Sequence, residues 1–202
     1  MSFLLLGFVT GLSLILAIGA QNIFVIEQGL KKQYVFLVCL ICSISDLILI
    51  FLGIFLFEYF KVYFTKYIEL IFNILLFIFL VYFVYSKVRS LYKRSNLNFE
   101  NNTFSLSNII VKTLGFTYLN PHVYSDTVFF LGNFSKNYQL DQKISFGIGA
   151  SIASFLFFFT LGYLSNYLSK YAKNKNIWKT INIFIIVFMS VLILFIIYEM
   201  LN

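Results

Sequence analysis

Two aspartates stand inside apolar stretches of this chain, each with small or polar neighbours at helical spacing. In the first stretch, Cys39, Cys42, Ser43 and Asp46 fall at i, i+3, i+4 and i+7, one stripe of a helix that Gly53 extends. In the second, "YLNPHVYSDTVFFLG", His122, Ser125 and Asp126 stand at i, i+3 and i+4 and share a face. A carboxylate at the centre of a bilayer is unfavourable by roughly 2.5–3.5 kcal/mol, so an intramembrane acid faces protein and marks a substrate or proton path. The competing reading is structural: an aspartate held by a neighbouring Ser, Asn or Tyr, and a His122–Asp126 pair that satisfies itself. For His122 alone, packing or ring orientation is as good an account as function.

The second stretch also holds the chain's one proline and one histidine. Pro121 has no N–H, so the carbonyl of Thr117 loses its helical donor, and Asn120 is pushed out of the α region. The helix should kink or break there, and broken backbone at membrane depth is tolerated where it is buried or lines a cavity. A half-helix starting at Pro121 would aim its positive end at a ligand carboxylate. Gly19 and Ala20, before Gln21 and Asn22, permit a similar break without forcing one. The amides of Gln21, Asn22 and Asn120 suit both amine and carboxylate groups.

Composition says what must position these groups. The 202 residues are 60% hydrophobic and 11% charged, with a mean hydropathy of +0.89. A soluble domain is nearer half apolar and a quarter charged, so the solvent of this fold is lipid. Six apolar runs, about 3–26, 34–57, 68–86, 109–134, 144–168 and 181–198, are each long enough to span. The expected fold is an all-α membrane protein of six transmembrane helices. Two three-helix halves, 1–86 and 109–202, flank a polar cytoplasmic linker, 87–108. Three helices per half run the halves in opposite senses, the geometry of an inverted repeat. A faint trace of it is the alignment of residues 42–60 with 150–168, which matches Ser43 with Ser151 and Phe51 with Phe159. The apolar start lacks a basic n-region and a cleavage site and reads as a retained first helix.

The net charge of +7 lies between the runs and orients helices; it does not point to nucleic acid. The first, third and fifth loops carry eleven basic residues and the other two carry four. Positive-inside then puts the eleven in the cytoplasm and both termini outside. Gly7 and Gly11, and Gly147 with Ser151 and Ser154, read as small faces for close helix packing. Cys39 and Cys42 share a C-x-x-C spacing, but inside an apolar helix they read as packing residues.

Three stretches taken together, "IGAQNIFVIEQGLKKQY", "CSISDLILIFLGIF" and "YLNPHVYSDTVFFLG", resemble the lysine exporter (LysE-type) translocators, in the branch that holds the bacterial arginine exporter. The similarity runs along the whole chain in order and spacing. It implies a multi-pass inner-membrane efflux carrier, not an enzyme. In the basic-substrate branch, the substrates are arginine, lysine and toxic analogues such as canavanine. It carries functional positions to Gly19, Gln21, Asn22, Asp46, Asn120, Pro121 and Asp126. The family commonly has proline after the first glycine, where this chain has Ala20, so a kink in the first helix is less secured.

The resulting expectation is a site for a zwitterion with a cationic side chain. Asp46 and Asp126 hold the cation, amides and a helix N-terminus hold the carboxylate, and His122 orients or relays protons. Gly19 and Pro121 supply the breaks. No metal or cofactor is expected; the partners are substrate, proton and lipid, with a homo-oligomer left open. Exchange of one cation for one proton cancels the electrical work of about 2.3 kcal/mol per 100 mV. The rivals are export of a neutral amino acid or another metabolite, a thiol–disulfide carrier using Cys39 and Cys42, and a membrane scaffold.

Overall fold

The computed structural model describes residues 2–16, 19–63, 65–93, 105–172 and 175–201. Among them the elements are helical throughout: α1 (Phe3–Ile15), α2 (Ala20–Lys31), α3 (Val35–Tyr63), α4 (Lys66–Lys93), α5 (Leu106–Tyr118), α6 (Pro121–Tyr124), a π-helical turn (Ser125–Phe130), α7 (Leu131–Ser135), α8 (Leu140–Ala172) and α9 (Lys175–Leu201). Four helices, Val35–Phe57, Lys66–Arg89, Leu140–Tyr171 and Ile177–Tyr198, are long and apolar enough to cross a membrane. The pair α1 and α2 would make a fifth span, bent by 83° at the break. The protein is thus an all-helical, multi-pass membrane protein.

Two of the six apolar runs are not continuous helices. The first stops at Ile15 and restarts at Ala20, so the break occurs without a proline. The fourth stops at Tyr118; Asn120 adopts an extended conformation (φ −84°, ψ 110°) and Pro121 opens the next helix at its first position. There the missing N–H removes no helical bond and the fixed φ is already suitable. The chain then widens into the π-turn at Ser125–Phe130, which carries Asp126. Such turns are rare and cluster at functional sites. Of the expected linker, residues 87–93 belong to α4 and 105–108 to the cap and start of α5; residues 94–104 lie outside the described part.

Helix α8 is the centre of the bundle and packs chiefly on α1, α3 and α2, while α3 packs on α5, the π-turn and α7, and α4 packs on α9. Apolar side chains give little driving force between helices in lipid, so close backbone approach matters. A Cβ on Gly7 would lie 2.0 Å from the Phe146 carbonyl oxygen, and one on Gly149 2.0 Å from that of Leu4. Gly11 abuts Ala150, Gly29 abuts Gly162, and Gly53 abuts Thr127 and Val128. The small faces expected from Gly7, Gly11 and Gly147 are therefore packing surfaces. The buried hydroxyls of Thr113, Thr117, Ser135 and Ser151 donate to carbonyls one turn back, which satisfies them where no water is available.

Candidate functional site

The two helix breaks open onto one cavity of about 410 Å³. Gly19, Gln21 and Asn22 line it from the first break, Asn120, His122 and Asp126 from the second, and Asp46 from α3. Of the expected site residues only Pro121 is not part of the wall; it is buried and shapes the backbone beside it. Leu76, Phe158, Leu192 and Phe195 give the cavity an apolar side. A few convergent polar groups on an apolar wall, in a volume of roughly 300–1,000 Å³, are the usual make-up of a small-molecule site.

Asp46 is buried, and the Ser154 hydroxyl donates to its Oδ2 at 2.8 Å. That bond ties α3 to α8 and leaves the carboxylate further lone pairs toward the cavity. Asp126 is less buried and lines the same cavity as Asp46. His122 is exposed to the cavity, one turn before Asp126, and its ring lies 5.9 Å from that of Phe195. The acids thus arrive from different helices and share one space.

The amides do two jobs. Asn22 Nδ2 donates to the Ile15 carbonyl at 3.2 Å and sutures the end of α1 to the start of α2. Asn120 Oδ1 accepts from the His122 N–H at 3.1 Å and caps α6. Gln21 Nε2 is buried near the Cys42 thiol without a well-aligned partner among the described residues. At α2 the N-cap is Gly19, which has no side chain to satisfy the first N–H groups. Gly19 is extended (φ −110°, ψ −177°), so its backbone is open to any residue; what it contributes is empty space, since a Cβ there would meet nothing within 4 Å among the described residues.

The cysteines belong to helix packing. Both are buried and free, Cys39 donates to the Phe158 carbonyl at 3.2 Å, and a Cβ on Gly162 would lie 2.4 Å from its sulfur.

Sequence reasoning missed Glu27 and Lys87. Both are buried, and Lys87 Nζ lies 2.8 Å from Glu27 Oε1 and donates to Asn182 Oδ1 at 2.9 Å. Lys31, one turn along α2, meets the same Glu27 oxygen. The available signal was the i, i+4 spacing of Glu27 and Lys31, which marks residues 27–31 as helix where the apolar run had ended at 26.

Broken helices around a membrane-embedded cavity with two carboxylates define a carrier for small molecules. The chain belongs to the LysE type translocator family, whose model matches residues 12–200; it is a transporter and not an enzyme. Among curated relatives, the arginine exporter protein ArgO of Pectobacterium carotovorum subsp. carotovorum (strain PC1) is 31% identical over 184 residues, covering 89% of this chain and 88% of the relative. ArgO of Pectobacterium atrosepticum is 30% identical over 190 residues, and ArgO of Salmonella paratyphi A 32% over 189, with similar coverage. No solved structure matches the chain.

Proposed function

We propose that the chain exports basic amino acids, L-arginine, L-lysine or both, across the inner membrane by exchange for protons. The observation that carries this reading is that Asp46 and Asp126 line the same cavity. A site for a neutral amino acid has no need of two acids; a guanidinium or ammonium offers both a partner. The uncapped start of α2 and the Asn120-capped start of α6 lie on the same wall, and helix N-termini favour a carboxylate. The family membership and the arginine exporter relatives support the same substrate class.

The six-helix inverted repeat is part of this proposal. The element order supports it: a broken helix followed by two long ones occurs twice, α1–α2 with α3 and α4, then α5–α7 with α8 and α9. The packing exchanges partners in the same way, α8 against the first broken helix and α3 against the second. Asp46 and its partner Ser154 are 108 residues apart, the offset that aligns 42–60 with 150–168. In this reading the helices around the cavity rearrange to expose it to each side in turn, as alternating access requires, with the stretch that joins α4 to α5 as the cytoplasmic linker. The proximity of Lys31, Lys87 and Lys112 at one end of the bundle supports the positive-inside assignment of that end to the cytoplasm.

The mechanism follows from charge. A substrate cation binds between the carboxylates from the cytoplasmic side. A proton arriving from outside neutralises a carboxylate and releases the cation, so the pH gradient drives export. The test is efflux from cells preloaded with an arginine- or lysine-containing dipeptide. Export of both cationic residues that collapses with a protonophore is the expected result; export of neutral residues alone would refute the substrate assignment.

A further inference from the structure

Three helices run from the cavity to the buried Glu27–Lys87–Asn182 cluster. On α2, Glu27 stands five residues past Asn22, about 7–8 Å along the axis. On α4, Lys87 stands eleven residues past Leu76, about 16 Å away, and on α9 Asn182 stands ten residues before Leu192, about 15 Å away. Asn22, Leu76 and Leu192 all line the cavity. A layer of rings lies on the way. Phe24 on α2, Phe83 on α4 and Phe116 on α5 are buried, with the Phe116 ring 4.8 Å from Phe24 and 5.0 Å from Phe83. Lys87 and Lys112 stand over the Phe83 ring at 5.8 and 6.0 Å. From the cavity toward this end the order is therefore polar wall, aromatic layer, ionic cluster.

The cluster is divided in a way that makes one bond separable. Glu27 has a second cation, Lys31, on its own helix, and α2 packs chiefly on α8. Lys87 has a second acceptor, Asn182, on α9, and α4 packs chiefly on α9. Asn182 is itself fixed by donating to the Trp178 carbonyl at 2.8 Å. If α4 and α9 move together away from α2, Glu27 keeps Lys31 and Lys87 keeps Asn182. Glu27 then keeps a counter-charge and Lys87 a hydrogen-bond acceptor, which lowers the cost of rupturing a buried pair. A pair serving only to glue helices needs no such reserve on both sides.

We propose that the Glu27–Lys87 pair, backed by the Phe24–Phe83–Phe116 layer, is the gate of the translocation path at this end, a functional site separate from the cavity. It is shut in this structure and opens by breaking that ion pair as α4 and α9 swing from α2. The proposal rests on the carrier reading. One test replaces the breakable pair by a covalent tie. Full-length protein carrying Glu27→Cys and Lys87→Cys is reconstituted in vesicles loaded with arginine and treated with a short bifunctional thiosulfonate; the wild-type chain with its two native cysteines is the control. The tie should lower arginine efflux at least about tenfold, with recovery on reduction and no effect of a monofunctional reagent. Efflux from tied protein at the untied rate overturns the gate. Absence of arginine efflux from the wild type refutes the carrier reading instead. A second measurement does not depend on the double variant being active. A cysteine at the cavity wall, Leu192→Cys, is labelled with an impermeant thiol reagent from each side of the membrane, with and without Glu27→Gln. Glu27→Gln should speed labelling from the Lys87 side by about fivefold or more and leave the other side unchanged or slower. Equal rates with and without Glu27→Gln, or the same change from both sides, overturn the proposal.

Discussion

Asp46 and Asp126 meet in one cavity but are held differently, and the difference separates their expected phenotypes. Asp46 is buried and bonded by Ser154. Asn at this position keeps the size and an acceptor for that hydroxyl, so Asp46→Asn should insert and fold normally yet lose export; wild-type efflux from the well-inserted variant would make the acid structural. Asp126 sits on the π-turn with more room around it. On the proposed reading, removing its charge would take a partner from the substrate cation, an effect of several kcal/mol in an apolar site, while a neutral amino acid would lose nothing comparable. Asp126→Asn should therefore lower arginine and lysine export by about tenfold or more and spare any slow leak of neutral residues. His122→Gln should be milder. Parallel efflux of arginine, lysine and a neutral amino acid decides it, and equal loss of all three would remove Asp126 from substrate choice.

At the scale of elements, the broken helices and the glycine contacts make different demands on sequence. Pro121 starts α6 beside the cavity, and Pro121→Ala restores an N–H that can rejoin α5 and α6 into one helix. Transport should fall more than membrane insertion; normal export by the alanine variant would refute a site built on that break. The glycines divide by their surroundings. Gly7→Ala drives a methyl into the Phe146 carbonyl, and overpacking of this kind destabilises by about 1–3 kcal/mol. Gly19→Ala meets nothing among the described residues and needs no unusual backbone, so its melting temperature should stay near that of the wild type. Thermal unfolding of both variants in detergent checks the contrast, and equal stabilities would contradict the packing of α1 on α8.

For the whole molecule, the proposed topology makes a two-sided prediction from exposed positions. Gln139, before α8, and Lys170, at its far end, are both exposed and stand at opposite ends of one long helix. An impermeant thiol reagent should label Gln139→Cys from outside the cell and Lys170→Cys only from the cytoplasmic side. The reverse pattern would invert the orientation and place the Glu27–Lys87 cluster at the outer end. The proposed drive by the pH gradient would likewise be a property of the whole molecule, since both faces would have to reach the same carboxylates in turn.

What the sequence by itself determined is local chemistry. Sustained apolar length sets lipid as the solvent, because no aqueous fold hides so much apolar surface. A proline inside an apolar run breaks the helix at Asn120, because it lacks a donor wherever it stands. An aspartate in such a run must find protein partners, because lipid offers none. Tertiary structure decided the rest. The break before Ala20 has no proline to announce it and depends on how α1 and α2 pack on α8. The convergence of Asp46 and Asp126, and the Ser154 bond across 108 residues, require α3, α8 and the second broken helix to be docked. Hydropathy ended one run before Glu27 and another before Lys87, and so assigned both to connections. Their charges are buried only because α2, α4 and α9 bring them together, and no one of those helices carries the whole of that pairing.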